Sequence, residues 1–341
     1  MNVSVVIRTK DEADRLRLTL ASLARQSMPA EVVVVDDGST DHTQAVLTEA
    51  AATLPIVHVR HAAARGRSAA SNAGARAASG ELLIFLDGDT LAHPEMVAQH
   101  AAAHRSGPDR VGRGGRFHLR GTRFLADPER GTPRPGEEAR LARMTPAERA
   151  RLLVTRAQIA EDFDAIAARA EPGLYPGAGP RQLEELELDA LRHHPELEVL
   201  WSASCGANFA MARAAFMATG GFDEIIDNNE HRELALRLLR AGAKMVPVES
   251  ARSYHLTHRI GWRDPLLDPA WERRFFALHP CLAVKLLSVF WASLAANSRI
   301  PREAQIRSLP DLDRASRGGN GVDYDAVRRM ALLPDLTEIA A

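Results

Sequence analysis

Four short apolar runs in the first ninety positions, each closed by polar or acidic residues, organise the start of this chain. Residues 3–7, 31–35, 56–59 and 82–86 are rich in Val, Ile and Leu and read as strands. Runs apolar at nearly every position suit a sheet covered on both faces, as parallel sheets are. Between them, residues 11–25, 40–52 and 67–78 carry helical spacing, the second opened by a Ser39/Thr40 cap. Strand, helix, strand repeated in this way forces parallel pairing with right-handed crossovers, hence an α/β fold.

The texture changes at about 112–198. Gly-, Pro- and Arg-rich turns are expected at 112–115 and 128–135, then helical segments at 145–170 and 182–194, as an insertion over the sheet edge or the site. Order returns near Leu200, with a helix at 212–218 and a turn at Gly220-Gly221-Phe222-Asp223-Glu224. An amphipathic helix at 230–241 and short strands at 244–248 and 252–255 follow. The last stretch reads as mostly helical, with a polar break at 314–321.

Composition narrows the classes. At 45% hydrophobic and 26% charged the chain has the makings of a proper core, and a net charge of −1 gives no field for nucleic acid. Cys205 and Cys281 stand far apart in no metal spacing, so neither a disulfide framework nor a zinc site is expected. The start lacks a signal-peptide pattern, and the apolar stretch 282–295 is shorter than the ~20 residues a spanning helix needs. A cytoplasmic location is expected, with peripheral membrane contact left open. The stretch 282–295 reads as a core or interface helix, a homodimer through the C-terminal helices being one use for it.

The candidate chemistry lies where apolar runs end in acids: Val35-Asp36-Asp37-Gly38-Ser39-Thr40-Asp41 and Leu86-Asp87-Gly88-Asp89. Strand ends are where open α/β sheets bind ligands. Residues i and i+2 of an extended segment face the same way, so Asp87 and Asp89 could aim two carboxylates at one hard cation and the diphosphate it carries.

With Thr9 after the first strand, Gly66, Ala70, Asn72 and Gly74 before the fourth, and Gly206-Ala207-Asn208 further on, these clusters resemble the family-2 glycosyltransferases. The resemblance implies a GT-A fold, with a nucleotide-binding half at 1–111, the helical insertion at 112–198, an acceptor-side half at 199–260 and a helical extension at 261–341. It implies an inverting, metal-dependent transfer from a nucleoside-diphosphate sugar, most simply a UDP sugar, to an acceptor of unknown class: small molecule, glycan, lipid or peptide. Asp37 would meet the base, Asp87 the ribose and Asp89 the metal, Mn²⁺ or Mg²⁺. Thr9 and Asn72 would join the nucleotide site, with Arg65 or Arg67 replacing the family's arginine, where this chain has Ser71. Gly206, Asn208 and the neighbouring Trp201 would face sugar and acceptor, while Trp262, Trp271 and Trp291 read as core or interface. His255 is favoured to complete the metal site, with His258 the alternative. Arg8 and Lys10 depart from the family's first turn.

The main departure falls at the general base, where Asn229-Glu230-His231-Arg232-Glu233-Leu234 puts His231 in place of an Asp. Glu230 is preferred as base, His231 is the second choice, and an acceptor needing little help is the third. A non-catalytic nucleotide-sugar binder is the alternative function. A sugar-1-phosphate nucleotidyltransferase is less favoured, because no Gly-rich loop follows the first strand. The pairs at 100–104 and 193–194 resemble metal spacings but read as surface histidines.

Overall fold

Three of the four apolar runs form strands that bury side chains on both faces, and the third forms the half-exposed edge strand. The computed structural model describes residues 1–173, 183–258, 266, 270–318 and 321–336. Trp262, position 182 and positions 319–320 of the expected break lie outside them.

In chain order the strands are β1 Val3–Thr9, β2 Glu31–Asp36, β3 Ile56–Arg60, β4 Leu82–Asp87, β5 Thr90–Ala92, β6 Arg110–His118, β7 Leu125–Asp127, β8 Thr132–Pro133, β9 Glu171–Pro172, β10 Phe209–Ala212 and β11 Lys244–His255. The helices are α1 Ala13–Leu23, α2 Thr43–Ala50, α3 Arg67–Ala77, α4 Met96–His104, α5 Glu138–Ala142, α6 Pro146–Ala150, α7 Arg156–Glu161, α8 Phe163–Ala167, α9 Leu183–His193, α10 Arg213–Ala218, α11 Glu230–Arg240, α12 Ala270–Leu278, α13 Leu282–Ser293, α14 Leu309–Ser316 and α15 Tyr324–Met330.

The main sheet runs β3-β2-β1-β4-β10-β6-β11-β5, with β9 added beside β6. Strands β3, β2, β1 and β4 are parallel, β10 is antiparallel to both neighbours, and β6 and β11 are parallel to each other. Val5, Ile7, Val32, Val34, Leu82 and Ile84 pack on one face with residues of α1, α2 and α4. Val6, Val33, Leu83 and Phe85 pack on the other with α3, α9, α11 and the C-terminal helices. Helix α13 packs most of its apolar face into that second core, with Val284, Leu286, Leu287 and Val289 all at 0% exposure. No helix of the described residues is long and apolar enough to cross a membrane, and Cys205 and Cys281 are both free.

Several local expectations need correction. The glycines at 112–115 are not turns but the middle of β6, because a β-carbon at Gly114 would sit 2.2 Å from Asn208 Nδ2 and one at Gly112 would sit 2.8 Å from His104 Cε1. Glycine here lets side chains press against the strand. The two late strands are one, β11, bulged between Val248 and Arg252. The segment 145–170 is broken into short helices α6, α7 and α8, each newly capped by Thr145, Thr155 or Asp162. Helix α2 starts after His42 without a Ser39/Thr40 cap; Asp41 accepts from Thr43 N (3.0 Å) and Ala13 N (2.9 Å), tying α1 to α2.

His100 and His104 are buried, not surface residues. His100 Nε2 lies 2.7 Å from Asn208 Oδ1, and Asn208 Nδ2 donates to Gly115 O (3.1 Å) and Ala251 O (2.7 Å), clamping β6, β10 and the β11 bulge. Burial lowers His100 from the ordinary 6.5 to about 4. The unfolded chain takes up the proton first, so this group's stabilisation is complete above pH ~6.5 and is lost as pH falls toward ~4, by about 3 kcal/mol at the limit. His100→Gln is expected to shrink the acid-side fall in Tm; an unchanged Tm–pH curve would count against this assignment.

Candidate active site

The carboxyl ends of β1, β2 and β4 lie side by side: Thr9 pairs with Asp36, and Arg8 with Asp87. Asp37 N donates to Thr9 O (2.9 Å), and Gly88 N donates to Arg8 O (3.1 Å). Both acidic loops therefore flank the end of one strand, as ligand-binding loops of open α/β sheets do.

Asp37 is held by the loop before α3. Its Oδ1 accepts from Arg65 N (2.8 Å) and lies 2.7 Å from His61 Nδ1, and its Oδ2 accepts from Gly66 N (3.0 Å). A carboxylate has about four lone-pair sites, so Oδ2 keeps one acceptor position. Gly66, at φ +95°, lets the chain turn into α3. Thr9 is buried with its Oγ1 unpartnered. Asp36 accepts from Ser39 N (2.8 Å), a turn role.

The chain then runs from β4 through Asp87-Gly88-Asp89 into β5, whose Thr90 pairs with His255. That register brings Asp89 to the end of β11, where Leu256 N donates to Asp89 O (2.8 Å). His258 Nε2 lies 2.9 Å from Asp89 Oδ2 and His255 Nε2 lies 3.8 Å from it. One ligand atom from each of Asp89, His255 and His258 falls within 4.8 Å of the others, the metal-competent group among the described residues. His255 Nδ1 is buried without a partner. Burial opposes charge on Asp89, but the adjacent His255 and the hydrogen bonds from His258 and Thr90 outweigh it and hold the carboxyl below its usual range. Burial also pushes His255 down, toward the neutral form that binds metal. Two imidazoles and a carboxylate suit Mn²⁺ better than Mg²⁺, which prefers oxygen. Both histidines thus flank Asp89. Glu12, whose Oε1 lies 3.3 Å from His258 Nδ1, stands behind the second.

Glu230 opens α11 behind Asn229, a buried non-glycine residue in the left-handed region at φ 63°. Such strain persists only where the surroundings enforce it. Arg8 bridges Glu230 to the donor-side acid: its Nη1 donates to Glu230 Oε1 (2.6 Å) and its Nε to Asp87 Oδ1 (3.0 Å). Burial opposes charge on Glu230, yet the Arg8 guanidinium prevails and holds it well below the usual carboxylate range. His231 is pushed down to about 4 by burial. Arg232 Nη1 lies 2.7 Å from His231 Nε2, and a β-carbon at Gly206 would stand 2.8 Å from its Nδ1, so Gly206 makes room for the ring.

Other site expectations resolve differently. Asn72 donates to Phe222 O (2.9 Å) and Glu224 (3.1 Å) and accepts from Phe222 N (2.8 Å), so its buried amide is consumed in holding the turn before α11. Asn208 is the strand clamp described above, with no exposure. Trp201 is 1% exposed and meets Phe275 edge-on at 5.4 Å, so it is core rather than a sugar platform. Trp271 and Trp291 are buried, 5.6 Å apart. Arg67 is exposed, close enough to Glu230 to lower it further, and its amide donates to Asp227 (2.7 Å). Arg65 reaches Glu224 at 3.4 Å. Sequence reading missed the roles of Arg8, Glu12 and His61; a charged residue ending a buried strand was the one available signal, for Arg8.

Residues 4–147 match the model of Glycosyl transferase family 2. Validoxylamine A glucosyltransferase of Streptomyces hygroscopicus subsp. jinggangensis (strain 5008) is 31% identical over 304 residues, 85% of this chain, which spans 63% of that relative's length. Dolichol-phosphate mannosyltransferase of Pyrococcus furiosus is 32% identical over 111 residues, 32% of each chain. Among solved structures, the mannosyltransferase PcManGT from Pyrobaculum calidifontis in complex with GDP-Man and Mn²⁺ superposes with a TM-score of 0.52 at 16% identity, covering 97% of this chain and 73% of that one. S. aureus TarS 1–349 in complex with UDP-GlcNAc gives 0.52 at 16% identity, covering 93% and 74%. Residues 4–147 thus carry the pattern of glycosyl transferase family 2, and strand order, acidic loops and these likenesses together establish the GT-A fold.

Proposed function

We propose that the chain is an inverting glycosyltransferase that moves a sugar from a UDP-linked donor to an acceptor hydroxyl with the help of a divalent ion. The observation that carries this reading is the gathering of Asp37, Asp87, Glu230 and the Asp89–His255–His258 group around the end of β1. The last acceptor position of Asp37 suits one N–H, as the uracil edge presents. Glu230 would take the proton as the acceptor oxygen bonds to the anomeric carbon, while the bond from that carbon to the diphosphate breaks and UDP leaves with the electron pair. Such a single displacement inverts the centre and needs a base but no protein nucleophile. A divalent ion held by Asp89, His255 and His258 would supply charge stabilisation for the departing diphosphate.

His231 is the poorer base here: it is held at about 4, and Arg232 already occupies its Nε2. Its place where the family carries Asp favours one second reading, a nucleotide-sugar binder without turnover. Thermal-shift and turnover measurements separate these. UDP is expected to raise Tm by several degrees with Mn²⁺ and less without it, and UDP-glucose or UDP-GlcNAc with Mn²⁺ should release UDP slowly to water. Stabilisation by UDP with no release from any UDP sugar would favour the binder; no response to UDP would sink both.

A further inference from the structure

Arg116 is left unused by that reaction. It and His118 stand two positions apart on β6, so their side chains share a sheet face. His118 pairs across the ladder with His255, and the two rings lie 5.3 Å apart, so this face also carries the candidate metal group. A β-carbon at Gly173 would stand 3.1 Å from His118 Nε2 and 3.3 Å from Arg116 Nη2, so the two side chains converge at one point.

The surroundings favour charge on Arg116 but give its guanidinium no ion pair of its own. Arg113 takes both oxygens of Glu184 and one of Glu187, and Arg232 takes the other oxygen of Glu187, so two cations and two carboxylates balance. Arg116 adds a third cation beside that set and gives Glu184 only its backbone N–H (3.0 Å). Arg116 Nε and His118 Nε2 are buried without a hydrogen bond, and among the described residues no carboxylate pairs with the Arg116 guanidinium. A half-buried guanidinium with no hydrogen-bonded partner leaves its planar fork free, and that fork matches a phosphate or carboxylate.

We infer that Arg116, with His118, forms a subsite for an oxyanion, a phosphate or carboxylate, carried by the acceptor. We assign it to the acceptor because the ion proposed at Asp89, His255 and His258 already offsets the charge of the donor's diphosphate beside this face, while Arg8 serves the donor-side Asp87. This rests on the proposed transfer reaction.

The test titrates glycerol 3-phosphate into the full chain saturated with UDP and Mn²⁺, following Tm and heat. Saturable binding is expected, weakened about tenfold or more in Arg116→Gln with UDP affinity unchanged; Arg116→Lys, which keeps charge but not the fork, should retain part of it and serves if the Gln variant does not fold. In parallel, binding to phosphatidylglycerol vesicles over phosphatidylcholine vesicles, lost in the same variants, would place the anion on a lipid acceptor, and binding of the soluble ester alone would place it on a soluble one. No binding of either, or binding that survives both substitutions, overturns the subsite. A loss of UDP affinity in Arg116→Gln overturns its assignment to the acceptor. If UDP itself does not bind, the transfer reading fails, and the ester titration on metal-free protein still reports on Arg116 separately.

Discussion

Glu230→Gln is expected to lower turnover of a UDP sugar by about 10²–10⁴-fold, the range for loss of a positioned general base. The glutamine carbonyl still accepts from Arg8 Nη1, which now donates to Oε1 at 2.6 Å, so the helix start and UDP affinity should survive within a few-fold. The pH profile adds a second readout. A base must be deprotonated, and Arg8 holds Glu230 well below the usual carboxylate range. Wild-type kcat/KM should therefore stay flat from neutral pH down past the ordinary carboxylate range of about 4.3, with no limb from this group. A limb near neutrality that vanishes in His231→Asn would move the base to His231, and full turnover by Glu230→Gln would remove it from Glu230.

The sequence speaks most clearly where one physical cause dominates. Strands β1, β2 and β4 are buried on both faces, so their apolar runs and the acidic loops at their ends were readable without coordinates. The same logic failed for β6, because its glycines are small to admit Asn208, His100 and His104 from elsewhere in the chain, and local composition does not encode that demand. Histidines at 100 and 104 looked polar and exposed for the same reason: their burial depends on strands placed more than a hundred residues later. Asn72 and Asn208 matched family motifs, yet their amides are wholly used in holding turns and strands. A motif gives a residue's place, and only its hydrogen-bond partners tell whether it is free to meet a ligand.

Arg8 is the most instructive omission. In the sequence it was only a departure from the family's first turn and carried no role, whereas it joins Asp87 to Glu230 across residues far apart in sequence. His231 stands where the resemblance puts an acid, and Glu230 beside it shares the Arg8 guanidinium with Asp87. That arrangement keeps Glu230 ionised and lowers its proton affinity at the same time, so under the proposed transfer the acceptor oxygen would acquire much of its bond to the sugar before its proton moves.

Asp89→Asn is the other substitution with a large expected effect. Asparagine can keep the contacts to Thr90 and His258, so the fold should hold, but the charge that would draw a divalent ion to the two imidazoles is lost. Turnover with Mn²⁺ should fall about 10²-fold or more, as for removal of one electrostatic stabiliser of a developing anion, and Mn²⁺ should no longer add to the Tm gained with UDP. His255→Ala and His258→Ala, measured by Mn²⁺ titration without donor, separate the two imidazoles. A ligand should cost more affinity than a residue acting behind it, and Glu12→Gln should cost about tenfold if His258 is the ligand it supports. If Asp89→Asn binds Mn²⁺ as well as the unaltered chain, the ion lies elsewhere, and the proposed stabilisation of the departing diphosphate fails with it.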